Sequence, residues 1–176
     1  MTDEDLMLAF QRGSRDAFDA LFDRYRQVVW GFFKRRTADT GTAEELTQDA
    51  FLAVLQNTHR YEPRASFRGY LFGIAFNILS ASRRKARRDA VSPLDGVDPA
   101  AAVADPTSVL WVRRALAELD DSDRDILMLR EYEQLSYDDI ASLLDVPVNT
   151  VRSRLFRART ALRARLVPQS EGGGPR

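Results

Sequence analysis

The chain has 176 residues, of which 44% are hydrophobic, with 26 basic and 26 acidic residues. This size and composition fit one ordinary globular domain or two small ones. The lack of cysteine excludes disulfides and thiolate metal sites, and the single histidine, His59, argues against a histidine-based metal site or triad. An acidic start and the lack of an apolar run of about 20 residues predict a cytoplasmic protein with no membrane insertion. We expect no catalytic residue, no metal and no cofactor.

Helical periodicity dominates the first half of the chain. Apolar residues recur at three- and four-residue steps from Phe18 to Phe33, the period of one helix face. Thr42 is predicted to begin a second helix, with Glu45 completing a capping box. The apolar members of this second helix are Leu46, Ala50, Phe51, Val54 and Leu55. Ser66 is predicted to cap a third helix, which runs into the basic cluster Arg83–Arg88.

A change in composition divides the chain in two. Residues 89–107 contain Ser-Pro, Asp-Gly and Asp-Pro steps and no basic residue, which predicts a flexible linker. Helical periodicity returns after it, with Ser122 as a predicted cap, and the Gly-rich residues 167–176 are predicted to be a disordered tail. The sequence therefore predicts an all-α fold of two small helical domains, 1–88 and 108–166, joined by the linker.

The second domain carries a helix-turn-helix pattern. Ser136 and Asp139 form a variant capping box, and Asp145-Val146-Pro147 makes a tight turn before the next helix. The start of that helix carries polar and basic residues on one side, where a recognition helix meets base edges in the major groove. The candidate contacts to duplex DNA are Asn149, Thr150, Arg152, Ser153, Phe156 and Arg157. Arg154 and Arg159 project further round and are predicted to contact phosphates or to act structurally.

The first domain carries two further candidate surfaces. Aromatic and arginine residues alternate between Tyr61 and Phe72, and a basic track follows, a combination that suits single-stranded DNA. The candidate contacts to melted DNA are Tyr61, Arg68, Tyr70, Phe72, Asn77, Arg84 and Arg87. A second, polar helix face is a candidate for binding a protein partner. Its residues are Glu45, Gln48, Asp49 and Leu52.

Three blocks resemble bacterial sigma factors of the extracytoplasmic-function class. Residues 44–51 (EELTQDAF) resemble the stretch that binds the clamp helices of RNA polymerase, and residues 67–77 (FRGYLFGIAFN) resemble the segment that melts and reads the minus-ten element. Residues 135–159 are similar to the reader of the minus-thirty-five element. The blocks stand in the family's order. The resemblance implies a subunit without catalysis of its own that binds core RNA polymerase and promoter DNA and directs promoter-specific initiation. Many members also bind an anti-sigma factor.

The chain departs from the family's usual residues at three positions. Tyr70 replaces a usual Trp, and Asp145 and Asn149 each replace a usual Gly. Two other functions remain open at this point. A conventional operator-binding helix-turn-helix regulator would bind duplex DNA without polymerase, usually as a dimer, and no dimerisation helix is evident. A nucleic-acid-processing enzyme would need paired carboxylates or metal ligands in a cleft, and the acidic residues here lie on helix faces.

Overall fold

The computed structural model describes residues 1–89 and 106–166, and its regular elements are all helical. The helices are α1 (Asp3–Gln11), α2 (Arg15–Lys34), α3 (Thr40–Gln56), α4 (Phe67–Asp89), α5 (Pro106–Ala117), α6 (Asp121–Glu131), α7 (Tyr137–Leu144) and α8 (Val148–Leu166). A 3-10 turn, Thr58–Arg60, follows α3. The predicted all-α class is confirmed. Both α4 and α5 reach into the predicted linker; its residues 90–105 and the predicted tail, 167–176, lie outside the described residues.

The first unit, α1 to α4, is organised around the long helix α2. Leu21, Tyr25, Val29 and Phe32 recur at three- or four-residue steps along α2, so they share a face, and all four are buried. This face packs against α1, α3 and α4. The side chains of Phe33, Phe67, Leu71 and Phe72 are almost fully buried in the same core.

At three helix starts, the observed N-cap can be compared with the one predicted from the sequence. The Ser66 hydroxyl accepts a hydrogen bond from the backbone N–H three residues later at 2.9 Å, so the predicted cap of α4 is confirmed. The predicted cap of α3 is wrong, because the Asp39 carboxylate accepts from the N–H of Thr42 at 2.7 Å and Thr42 lies inside the helix. The predicted cap of α6 is also wrong, since Asp120 occupies the N-cap position and Ser122 is the second helical residue.

The first helix, α1, is absent from the sequence prediction. Its local signal is a capping box in which the Thr2 hydroxyl accepts from the N–H of Asp5 at 3.1 Å and the Asp5 carboxylate accepts from the N–H of Thr2 at 3.0 Å. The helix also contributes to the start of α4, because the Glu4 carboxylate accepts from the N–H of Phe67 at 3.0 Å.

The second unit, α5 to α8, is built around α8, which packs against α5, α6 and α7. Its buried centre consists of Ile126, Leu129, Leu135, Ile140, Val151 and Leu155. The two units touch, since α4 of the first packs against α7 of the second. Within the described ranges, none of the helices has the length and apolar character needed to cross a membrane.

Candidate nucleic-acid interface

The predicted helix-turn-helix is present as α7, a tight turn and α8. The Ser136 hydroxyl accepts from the N–H of Asp139 at 3.0 Å, and the Asp139 carboxylate accepts from the N–H of Ser136 at 3.2 Å. Asp145 ends α7 in the left-handed conformation, with φ 53° and ψ 51°. The carbonyl of Pro147 then accepts from the N–H of Val151 at 3.2 Å, so α8 begins directly after the turn. These local bonds fix the orientation of α8 relative to α7.

The start of α8 presents an exposed strip of polar, basic and aromatic side chains. Its inner face, with Val151, Leu155 and Ala158, is fully buried. Five of the six predicted contacts lie clear of this face, and none of the five is paired with an acidic side chain among the described residues. Four of them are exposed and Thr150 is half-buried. These five are Asn149, Thr150, Arg152, Ser153 and Phe156. The Phe156 ring is 75% exposed, so it takes no part in the core and is accessible for contact.

The sixth predicted contact, Arg157, is placed differently. Its Nη2 donates to Oδ1 of Asp123 on α6 at 2.8 Å, and the Asp123 side chain is only 7% exposed. The hydrogen bond to Asp123 raises the pKa of the Arg157 guanidinium. The Arg157 side chain is 63% exposed but compensates the charge of this buried carboxylate, so a contact of Arg157 with a base would compete with the bond to Asp123. Arg159 is likewise paired, with Glu131 at 2.7 Å, as a structural role would require.

Two of the seven predicted contacts to melted DNA belong to the core. The Tyr61 side chain, predicted to be an exposed stacking face, is 3% exposed, and its hydroxyl donates to the carbonyl of Ala65 at 2.8 Å. Burial raises the pKa of Tyr61 to about 12. The Phe72 ring is fully buried, with its centroid 5.5 Å from that of Phe32. Neither ring is available to stack on a base in this structure, because each is enclosed by neighbouring side chains.

The other five predicted contacts lie along α4 with different degrees of access. Tyr70 is half-buried, and its hydroxyl donates to the carbonyl of Asn57 at 3.1 Å. Arg68 lies against the rings of Tyr25 and Phe72 and donates to the backbone carbonyl of Glu133 in the second unit. The exposed candidates, which share one side of α4, are Asn77, Arg84 and Arg87.

The polar face of α3 is exposed and continues into an apolar patch. All four of its predicted residues, Glu45, Gln48, Asp49 and Leu52, are exposed. Leu52 is 50% exposed, and Leu55, which the apolar spacing assigned to the core, is 41% exposed. Phe22 of α2 is also exposed, and its ring packs 4.8 Å from that of Phe51. The sequence did contain a signal for Leu55, since it lies three and seven positions after Leu52 and Gln48 and so shares their face.

Across residues 1–89 and 106–166, no group of three or more His, Cys, Asp or Glu side chains is arranged to hold a metal ion. Three surfaces of the described residues are candidates for binding: an arginine- and phenylalanine-bearing recognition helix, a basic side of α4, and a mixed acidic and apolar face of α3.

Two protein-family models match the chain: Sigma-70 region 2 at residues 21–89 and Sigma-70, region 4 at residues 110–162. The chain is 31% identical over 182 residues to the RNA polymerase sigma-H factor of Pseudomonas aeruginosa, covering 94% of each protein. It is 32% identical over 176 residues to the ECF RNA polymerase sigma factor SigC of Mycobacterium tuberculosis, covering 96% of this chain and 93% of the relative.

Solved structures show the same fold. The structure of CnrH in complex with the cytosolic domain of CnrY matches with a TM-score of 0.69 and 23% identity, covering 96% of this chain and 99% of that one. The sigma factor RpoE in complex with the anti-sigma factor NepR from Bartonella quintana matches with a TM-score of 0.67 and 22% identity, covering 86% of this chain and 98% of that one. Together with the family matches and the whole-length relatives, the recognition helix and its supporting fold show that the chain belongs to the extracytoplasmic-function class of bacterial RNA polymerase sigma factors.

Proposed function

We propose that this sigma factor, which directs promoter-specific transcription initiation, uses three separate surfaces to bind polymerase and promoter DNA. The α3 face binds core RNA polymerase, the start of α8 reads the minus-thirty-five element as duplex, and the exposed side of α4 holds the melted minus-ten strand. The observation that carries the proposal is the completed helix-turn-helix with an exposed Phe156 and Arg152 at the start of its second helix. The match of residues 21–89 to Sigma-70 region 2 favours this function over an operator-binding regulator, which needs no such domain.

For the upstream element, the start of α8 offers base-reading chemistry. The Arg152 guanidinium is exposed and makes one long contact of 3.4 Å to the amide oxygen of Asn149. It is therefore accessible for bidentate pairing with O6 and N7 of a guanine. Phe156 can pack on a thymine methyl group, and Ser153 can hydrogen-bond to either kind of base pair. The positive end of the α8 dipole favours the nearby phosphates, which positions the helix without reading sequence.

For the minus-ten element, the buried aromatic residues shape α4 while its exposed side contacts DNA. The Asn77 amide can pair with the edge of an unstacked base, and Arg84 and Arg87 can follow the sugar-phosphate backbone. Tyr61 and Phe72 support the helix from the core. Arg68 and Tyr70 lie near the start of α4, half-buried between the core and the surface.

For polymerase binding, α3 offers two carboxylates beside apolar side chains. Glu45 and Asp49 are exposed on the same side of the helix as Leu52 and Leu55. Buried apolar anchors surrounded by charged residues are the usual composition of a protein interface. We place the protein in the cytoplasm, where the polymerase acts, and propose no catalysis of its own. An anti-sigma factor is a further proposed partner, supported by the relative RpoE, whose structure was solved in such a complex.

The upstream assignment is tested by selection on a promoter library with a randomised upstream element. The variants are Arg152→Ala and Phe156→Ala, and Arg163→Ala is the control, because Arg163 is also an exposed arginine but lies near the other end of α8. Removing a base-reading arginine should cost about 1–3 kcal/mol and relax the preference at one base pair. Arg163→Ala should leave the selected motif unchanged. If Arg152→Ala and Phe156→Ala both select the parent's motif, α8 does not read the upstream element with this strip.

The minus-ten assignment is tested by permanganate footprinting of the open complex. Asn77→Ala is expected to reduce thymine reactivity in the bubble while closed-complex formation stays close to that of the parent, because duplex binding depends on α8. Gln27→Ala, an exposed uncharged substitution on α2, is the control. A normal footprint with Asn77→Ala would remove this residue from the proposed surface.

A further inference from the structure

The arginines of α8 differ in their contacts with the neighbouring helix α6. Arg157 and Arg159 form ion pairs with Asp123 and Glu131 of α6, at N–O distances of 2.8 and 2.7 Å. Arg152, which lies nearer the start of α8, has no acidic partner within the described residues. Helix α6 therefore neutralises two arginines of the recognition helix and leaves a third one available for other contacts.

The pair between Asp123 and Arg157 is unequal in burial. The Asp123 side chain is 7% exposed, whereas that of Arg157 is 63% exposed. Oδ1 of Asp123 accepts from Nη2 of Arg157 at 2.8 Å, and Oδ2 accepts from Nε at 3.4 Å. Asp123 lies in the first turn of α6, where the positive end of the helix dipole favours its negative charge. Because the carboxylate is enclosed by the fold and the guanidinium is not, Asp123 sets the position of the pair.

Arg157 belongs to the same part of α8 as the strip that we propose reads bases. It follows Phe156 directly and comes four residues after Ser153, so its Cα lies beside theirs on the helix surface. Bidentate recognition of a guanine needs two N–H groups on one edge of the guanidinium, and Asp123 occupies the edge formed by Nε and Nη2. The negative charge of Asp123 also offsets the attraction of Arg157 for phosphates.

We infer that Asp123 is a specificity-determining residue for the upstream element: it holds Arg157 away from the bases, so that α8 reads fewer base pairs than its side chains could. The inference rests on the proposed function, because it requires α8 to read this element. Asp123 is too buried to contact DNA itself, so it acts through Arg157 as a positioning residue. Loss of its charge should release the guanidinium, which can then pair with a guanine at one further base pair.

The inference is tested by selection on a promoter library with a randomised upstream element, using the full chain bound to core polymerase. Asp123→Asn keeps the size of the side chain, and its neutral amide oxygen holds a guanidinium less strongly than a carboxylate does. Asp121→Asn is the matched control, because it removes the same charge from the same turn of α6, where Asp121 pairs with Arg124 of its own helix at 3.1 Å.

Two further variants show whether any change acts through Arg157. Arg157→Gln keeps an N–H donor for Asp123 but removes the guanidinium, so it reports whether Arg157 contributes to reading in the parent. The double variant Asp123→Asn, Arg157→Gln removes both members of the pair. Thermal unfolding followed by circular dichroism establishes that each variant is folded.

Asp123→Asn should enrich guanine about fivefold or more at one base pair where the parent shows no preference. Asp121→Asn, Arg157→Gln and the double variant should select the parent's motif. The inference is overturned if folded Asp123→Asn selects the parent's motif, or if Arg157→Gln changes it, because Arg157 would then already read DNA in the parent. If Asp123→Asn does not fold, the result with Arg157→Gln decides alone. A parent that selects no motif at all would refute the proposed function, on which the inference rests.

Discussion

The sequence prediction and the structure assign opposite environments to Tyr61. The sequence predicts it as a contact to single-stranded DNA, which requires an exposed ring, whereas the structure encloses the ring and leaves the side chain 3% exposed. The ring packs edge-on against Phe67 and Tyr70, with centroids 6.3 and 5.2 Å away, and the hydroxyl donates to the carbonyl of Ala65. Tyr61→Ala should therefore destabilise the fold, and Tyr61→Phe should do so only slightly.

The magnitude follows from the buried area. A tyrosine side chain buries about 150–250 Å², which at about 25 cal/mol per Å² gives an upper value of about 4–6 kcal/mol. The unfolded chain already buries part of this area, and alanine retains another part of it. The expected loss in the free energy of unfolding for Tyr61→Ala is therefore about 3 kcal/mol. Tyr61→Phe loses one hydrogen bond, at about 1 kcal/mol. For a protein of this length, these values correspond to a thermal unfolding midpoint lower by about 6–12 °C for Tyr61→Ala and by about 2–4 °C for Tyr61→Phe.

Thermal unfolding followed by circular dichroism measures both effects, with Asn77→Ala as the exposed control on α4. The control should change stability by less than about 0.5 kcal/mol. The reasoning is refuted if Tyr61→Ala unfolds at the parent's midpoint and yet abolishes promoter opening, since that result requires an exposed ring that stacks on DNA.

The remaining predictions concern α3, the turn before α8, and α8 itself. Glu45→Arg combined with Asp49→Arg should weaken binding to core polymerase without lowering the unfolding midpoint, because both side chains are exposed; a folded double variant that binds like the parent would disprove the α3 interface. Asp145→Gly should raise the stability to urea by about 0.5 kcal/mol, since φ is positive at this position; lower stability would contradict this. Arg157→Ala should lower the thermal unfolding midpoint because it leaves Asp123 buried and unpaired, whereas Arg152→Ala should not lower it. Equal midpoints for the two variants would mean that Arg157 is not needed for the fold and belongs to the DNA-reading surface.

The helix-turn-helix could be predicted from the sequence because its determinants are local. The cap at Ser136 reaches a partner three residues away, and the turn depends on Asp145 and Pro147 in direct succession. The exposed strip of α8 follows from the helical period once the buried face is known. The same logic correctly placed Glu45 and Asp49 on an exposed face of α3. The cap of α3 was wrong by three residues because Asp39 and Thr42 both suit an N-cap, and only the chain geometry chooses between them.

The contacts of Arg157 and Glu133 could not be predicted because their partners are distant in sequence. Arg157 and Asp123 are 34 positions apart, and Arg35 and Glu133 are 98 positions apart, so no periodic pattern connects them. Periodicity also locates a buried face without showing how far a neighbouring helix covers it, which is why Leu55 was assigned to the core and is 41% exposed. Sequence spacing therefore predicted most of the helices after α1 and many of their faces, and the contacts between helices decided which candidate residues are exposed.

The most direct test of the central claim is run-off transcription with core RNA polymerase on a pool of promoter fragments. Addition of the purified protein should produce transcripts with defined start sites that core polymerase alone does not make. The Glu45→Arg, Asp49→Arg variant should fail to produce them, and Arg152→Ala should reduce them on templates with the selected upstream element. Identical transcripts with and without the protein would contradict the account, because the protein would then confer no promoter specificity.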